Sequence, residues 1–429
     1  MNSESWSGDR QTLHWGQWRW AALMYVLGVA VCAWMSFGLP FVIGAPHQWI
    51  MSQDVWSTTS AAQYSWNGGA GYVYSSNPWF AALPGFIYLY APVTALAGHF
   101  GLVVGYPIPL AEPSMWLVTG PFFFLCGSTA VLGVDYLADT LRVSSARRRL
   151  IAFSVAVFAV GPTAGFAGHP EDLLALALVC ASFALLFRGH PAGAALMLSC
   201  GILFQTWAVL ALPALIVGVP REMRWRTMLQ AASAPAALGV ALLAANFHSS
   251  ATSLLRQPMP DIGQHLPWWA LASHLVIHTV YGPQSVVSGS TTRFLAVLVA
   301  LGAAWGVRNR ADEHTIMTCV ALAMFARTFF EVEYWPYYVI PAAVMVVLVG
   351  AAQTSLSSKR FTVLSVAAFL MYATSTGSYS HWLMAPLLSM AILVVCGALC
   401  FICVLRPRVA HRDDMTSADE FVGVVPISR

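Results

Sequence analysis

A chain of 429 residues that is 58% hydrophobic and 9% charged cannot close as ordinary soluble domains, because so little charge leaves too little polar surface to cover them. The mean hydropathy of +0.67 describes a polytopic membrane protein, and with a net charge of only +3 the placement of charge carries more information than its sum. A soluble enzyme is excluded, and nothing in the charge points to nucleic acid.

A bilayer core about 30 Å thick takes about 20 apolar residues as helix. In chain order the uncharged runs are 20–43, 115–134, 150–167, 173–187, 192–219, 227–246, 337–355, 361–377 and 383–405, with weaker runs at 294–307 and 315–330. The first is too long for a signal-peptide core and reads as a retained helix. The run 79–103 is apolar enough to span but is interrupted by Pro84, Pro92 and several glycines. Positive-inside reasoning places it in the outer interface and makes 192–219, broken by Gly201 and Pro213, a pair of short helices that enter and leave on one side. Of the 21 cations, only Arg256, Arg293 and Arg327 then fall outside, and the cluster 142–149 stays in the cytoplasm. The expectation is an all-α protein of about twelve helices with both termini inside the cell membrane. Residues 1–405 form one transmembrane unit with outer loops 44–114 and 247–293, and 406–429 form a cytoplasmic tail. The eight cysteines all lie in apolar stretches and read as small hydrophobes, with neither a disulfide framework nor a zinc site.

The same topology gathers the acids Asp54, Glu112, Glu171, Asp172, Asp261, Glu331 and Glu333 on the outer face, where carboxylates close to a membrane core suggest function. Asp54, in an aromatic loop after the first helix, suits a general base for a hydroxyl or, equally, a helix cap or turn. Gly168-His169-Pro170-Glu171-Asp172 is a tight turn opening a helix, and its proline and acids are what a helix start favours. Two adjacent acids and a histidine exceed that need. His169 with Glu171 or Asp172 also has metal-ligand chemistry, although three candidates within one turn and no distant partner make a weak signal. Arg327 stands four residues before Glu331 and close to Glu333, which suits either a phosphate or an ordinary pair along one helical face. In the second outer loop Arg256, His265 and His274 are candidates for an anionic headgroup, near an amphipathic stretch that begins at Pro267-Trp268-Trp269.

Taken together, these residues resemble the GT-C polytopic glycosyltransferases, especially bacterial polyprenyl-phosphate-sugar-dependent mannosyltransferase-like proteins. The resemblance rests on Asp54 in the first outer loop, Asn77-Pro78-Trp79 leading to an apolar segment broken by Pro92, and the turn 168–172. It extends to Phe204-Gln205-Thr206-Trp207 with Leu212-Pro213, and to Tyr337-Tyr338 before Pro341. It implies a GT-C-like fold and an inverting transfer of a sugar, mannose first, from a polyprenyl phosphate to a lipid or glycan acceptor at the outer face. It makes Asp54 the base and Arg327 a ligand for the donor phosphate. Glu171 and Asp172 are grouped with Asp54 as catalytic candidates, and His169, Arg327, Glu331, Glu333, Arg256 and His265 as substrate-binding ones; no metal or cofactor is expected. One Asp in the first loop, where many relatives are more acidic, and no lysine at 205–207 are departures from the pattern. The rival classes are a transporter, which would carry ionisable groups at mid-membrane on broken helices, and a catalytically silent scaffold, which needs no convergence of these side chains.

Overall fold

The computed structural model describes residues 15–34, 53–101 except 79 and 81, 116–260, 273–279, 282–309, 312–353, 357–376 and 384–405. His265, Glu112, Asp261, the 267–269 stretch and the tail 406–429 lie outside these residues.

Helices dominate, as a chain needs if its backbone polar groups are to be satisfied in an apolar surrounding. After α1 (Trp15–Ala33) come α2 (Gln53–Tyr64), α3 (Gly85–His99) and α4 (Trp116–Thr140). Next is α5 (Ser145–Ser154), which continues into the π-helical segment Val155–Ala167 around Pro162. Then follow α6 (Pro170–Phe187), α7 (Pro191–Phe204), α8 (Leu212–Gly218) and α9 (Arg224–Ala245). The C-terminal half adds α10 (Ser290–Val307), α11 (Glu313–Phe330), α12 (Pro336–Ala352), α13 (Ser358–Thr376) and α14 (Met384–Leu405). Among the described residues four helices are long and apolar enough to cross a membrane: Leu117–Thr140, Pro170–Phe187, Arg221–Ala245 and Ser290–Val307. Shorter apolar helices accompany them.

The core is built on α6. Pro170 occupies its first turn, where a missing N–H costs nothing. Gly189, at φ +80°, ends it in the left-handed conformation that glycine adopts freely. The chain reverses into α7, again with proline in the first turn, so α7 runs back along α6, and Ser182 Oγ donates to the Ala194 carbonyl across the pair. At Gln205 the backbone is extended, the 3₁₀ turn Thr206–Ala211 follows, and α8 descends again until Gly218 meets Leu186. The segment 191–218 therefore makes the expected hairpin of short helices, with its tip beside the start of α6.

At Gly133 the backbones of α4 and α6 touch: a Cβ there would stand 2.6 Å from both Cα and O of Ala177. Such close approach is what small residues permit between membrane helices. Gly133→Ala should lower stability by about 1–3 kcal/mol, measured as a lower thermal midpoint in detergent.

The helical architecture is as expected, with one small addition and one correction. The loop 247–293 contains a three-stranded antiparallel sheet in the order β1 (Pro258–Pro260), β3 (Gly282–Ser288), β2 (His274–Thr279). Its Met259 and Val287 pack on Val332, Tyr337 and Tyr338, which explains why so short a sheet forms: it covers an aromatic layer. The expected break at Pro92 is the correction: 85–99 is a continuous helix through Pro92 that buries Phe86, Ile87 and Tyr90.

Candidate functional site

Three sequence-distant segments meet at the start of α6. The π-helical segment ends at Gly168, whose φ of +78° turns the chain, and the His169 N–H donates to the Thr163 carbonyl at 2.9 Å. This holds His169 just ahead of Pro170. Its Nδ1 lies 2.8 Å from Glu171 Oε1 and its Nε2 3.1 Å from Asp54 Oδ2. Asp54 sits in the first turn of α2, yet its carboxylate is committed to His169, which argues against a purely capping role. The ring of Tyr337, in the first turn of α12, lies against the imidazole with centroids 4.0 Å apart.

Asp172, one residue on from Glu171, faces a different set of partners. Trp207 Nε1 donates to its Oδ1 at 2.7 Å and Gln205 Nε2 to its Oδ2 at 3.2 Å. Arg327 Nη2 approaches Oδ1 at 3.8 Å, a distance at which attraction persists without a short hydrogen bond. The Arg327 guanidinium lies over the rings of Tyr338 at 4.6 Å and Trp207 at 5.3 Å, a setting that retains a cation out of water. The tip of the α7–α8 hairpin thus supplies two of the groups that fix Asp172.

The expected pairing of Arg327 with Glu331 is not found. Helix α11 ends at Phe330 and Glu331 is extended, with φ −66° and ψ 150°, so the two do not share a helical face. Glu331 instead binds Arg293 Nε through both oxygens, at 3.0 and 3.1 Å. Arg293 also donates to Gln257 Oε1 and so ties α10, the sheet and the connector 331–335 together. Sequence reading assigned Arg293 no role, and its only signal was an arginine on the outer face. Arg256 ends an exposed turn, and it is its backbone carbonyl that is engaged, accepting from Ser288 Oγ. His274 begins the edge strand β2.

Glu333 is buried, with Trp335 Nε1 donating to its Oε2. Burial pushes its carboxyl up to about 7, against the hydrogen bond from Trp335, with Glu331 and Asp54 adding to the rise. A raised folded-state value means that Glu333 contributes stability in full below the ordinary 4.5, and that this contribution is lost as pH rises through about 7. Glu333→Gln should therefore flatten the fall in thermal midpoint between about pH 5 and pH 8; an unchanged fall would assign it to other groups.

Glu171 Oε2, Arg327 Nη1 and Glu333 Oε1 are buried without a hydrogen-bond partner, and buried polar atoms in that state call for a ligand or water. His169, Glu171 and Asp172 offer ligand atoms that all lie within 4.8 Å of one another and are the residues that could hold a metal. Their bonds are already directed elsewhere: Nδ1 would have to leave Glu171, and both Asp172 oxygens accept N–H donors. Chemically the arrangement offers a half-exposed carboxylate backed by a histidine and a buried acid, next to a buried cation with an uncommitted donor. No family model matches the chain, and no curated protein matches it.

Proposed function

We propose that this protein is a membrane glycosyltransferase that moves a sugar, mannose first among candidates, from a polyprenyl phosphate to an acceptor hydroxyl with inversion at the anomeric carbon. In this reading about twelve helices span the cell membrane, both termini are cytoplasmic, and the site opens to the outer face. The observation that carries it is the meeting of Asp54, His169, Glu171, Asp172 and Arg327 from α2, the 168–172 turn and α11. A scaffold has no use for such a convergence. The groups lie at helix ends, whereas a transporter would place them at mid-membrane.

Arg327 supplies the positive charge that binds the donor phosphate and stabilises it as it leaves. Asp54 removes the proton from the acceptor hydroxyl. The oxygen attacks the anomeric carbon from the face opposite the phosphate, the carbon–oxygen bond to phosphate breaks, and polyprenyl phosphate departs with the bonding pair. The apolar spans Arg221–Ala245 and Ser290–Val307, only 17% and 22% buried within the protein, provide a lipid-facing flank for the polyprenyl chain.

The test is purified protein in nanodiscs with labelled polyprenyl-phosphate mannose and a glycolipid extract as acceptor. Transfer of label with stoichiometric polyprenyl phosphate supports the reading. Movement of intact donor between leaflets, or no reaction with mannosyl, glucosyl or galactosyl donors, overturns it.

A further inference from the structure

The carboxylate of Asp54 does not stand alone, and the group behind it has two sides. Each nitrogen of the His169 ring faces a carboxylate oxygen, Asp54 Oδ2 at 3.1 Å and Glu171 Oε1 at 2.8 Å. A neutral imidazole has one N–H and one lone pair, so in either tautomer it would set a lone pair against a carboxylate oxygen. A ring carrying both N–H groups satisfies both contacts. We propose that Asp54, His169 and Glu171 form a single ionic chain in which His169, as an imidazolium, is the positioning residue that holds Oδ2 of Asp54 and so fixes which of its oxygens meets the acceptor. This rests on the glycosyltransferase reading for its consequence, although the chain itself does not.

Three further observations support it. Side-chain exposure falls from 53% at Asp54 to 18% at His169 and 2% at Glu171, so the chain runs from solvent into the core and Asp54 is the end that substrate reaches. This reverses the order of a hydrolase triad, where the histidine stands next to the reacting group and the acid behind it. The Tyr337 ring lies on the imidazole at 4.0 Å and 30°, which suits a cation and prevents the ring from turning away. The remaining charged groups facing it also fit: Asp172 Oδ2, on α6, is 4.0 Å from Nδ1, and Arg327, on α11, is held on the far side of Asp172. Burial alone would lower the basicity of the ring; Glu171 and Asp54 overcome this and hold it well above the ordinary 6.5.

In the reaction the acceptor O–H bond breaks and its proton passes to the free Oδ1 of Asp54, while the new carbon–oxygen bond forms and the phosphate leaves with its electron pair. The imidazolium neither gains nor loses a proton. It holds Asp54 in place through the step, and the half-exposed carboxyl returns its proton to water afterwards.

Diethyl pyrocarbonate acylates only unprotonated imidazole, so its reaction at the His169 peptide, followed by mass spectrometry across pH, reads the chain without requiring activity. In the wild type, modification should begin well above neutral pH. In Glu171→Gln and in Asp54→Asn the midpoint should fall by about one unit or more. A wild-type midpoint near 6.5 that neither variant moves would overturn the proposal. In the transfer assay, the wild-type rate should decline at alkaline pH as the imidazolium loses its proton, and His169→Gln should slow turnover by about 10²-fold and abolish that decline. A wild-type rate and profile in that variant, or a slower rate with the decline intact, would remove the positioning role. If His169→Gln does not fold, the acylation midpoints decide alone. If the wild type transfers no sugar, the glycosyltransferase reading fails while the acylation midpoints still judge the chain.

Discussion

Asp54→Asn should reduce turnover by about 10²–10⁴-fold, the range that a positioned general base contributes, and leave the protein folded. The substitution is nearly isosteric, and the amide oxygen can still accept from His169 Nε2, which now stands 3.1 Å from Asp54 Oδ2. The side chain is 53% exposed, so no buried charge is created or stranded. What disappears is the ability to take a proton. The loss should therefore fall on kcat, with KM for the polyprenyl donor nearly unchanged, because the donor phosphate is bound at Arg327 and not at Asp54. Asp172→Asn should behave differently. Asp172 is buried and accepts from Trp207 and Gln205, and its charge faces Arg327, so neutralising it should lower stability and donor binding together. Turnover at the wild-type rate by Asp54→Asn would remove Asp54 as the base, and with it the assignment of reaction centre.

The parts of this molecule that were legible in its sequence are those set by local chemistry. Proline and acids at 170–172 announce a helix start, and α6 begins at Pro170. Gly201 and Pro213 announce a broken segment, and 191–218 is a hairpin of short helices, although the break falls at Gln205, between those two residues. Composition announces apolar helices, and among the described residues four have the length and hydropathy to cross a membrane. The illegible parts depend on where the chain leaves its regular elements. Spacing of four joined Arg327 to Glu331, but α11 stops one residue earlier, and Glu331 turns to Arg293, 38 residues away. In the sheet, β1 has only three residues, and β2 and β3, with six and seven, lack the apolar–polar alternation that marks a strand. The Asp54–His169 contact spans 115 positions, and no local pattern encodes a pairing of that kind.

The hydropathy run of α4 was ended at 134 because two acids follow, yet the helix continues to Thr140 and buries the first of them. Asp135 receives Arg148 Nε at 3.1 Å and Nη2 at 2.9 Å. Arg148 Nη1 reaches Asp139, whose other oxygen accepts Arg188 Nη2 at 3.1 Å. This clamp joins the end of α4, the start of α5 and the end of α6, and the 18 residues of α6 separate it from the site by about 27 Å. Arg148 belongs to the cluster 142–149 that the charge distribution places on the cytoplasmic side; at 9% exposure it is also a structural ion. Removing one partner leaves the other buried without its main counter-charge, so Asp135→Leu or Arg148→Met alone should each destabilise the protein by about 3–5 kcal/mol. The paired replacement Asp135→Leu with Arg148→Met removes both charges and should recover most of that loss, since apolar groups of similar volume often replace a buried pair at little cost. Unfolding of the four proteins in mixed micelles, arranged as a double-mutant cycle, measures the coupling. Additive losses would show that Asp135 and Arg148 act independently, whereas a double variant close to wild type, with sugar transfer per folded molecule preserved, would confine the clamp to holding the helix ends together.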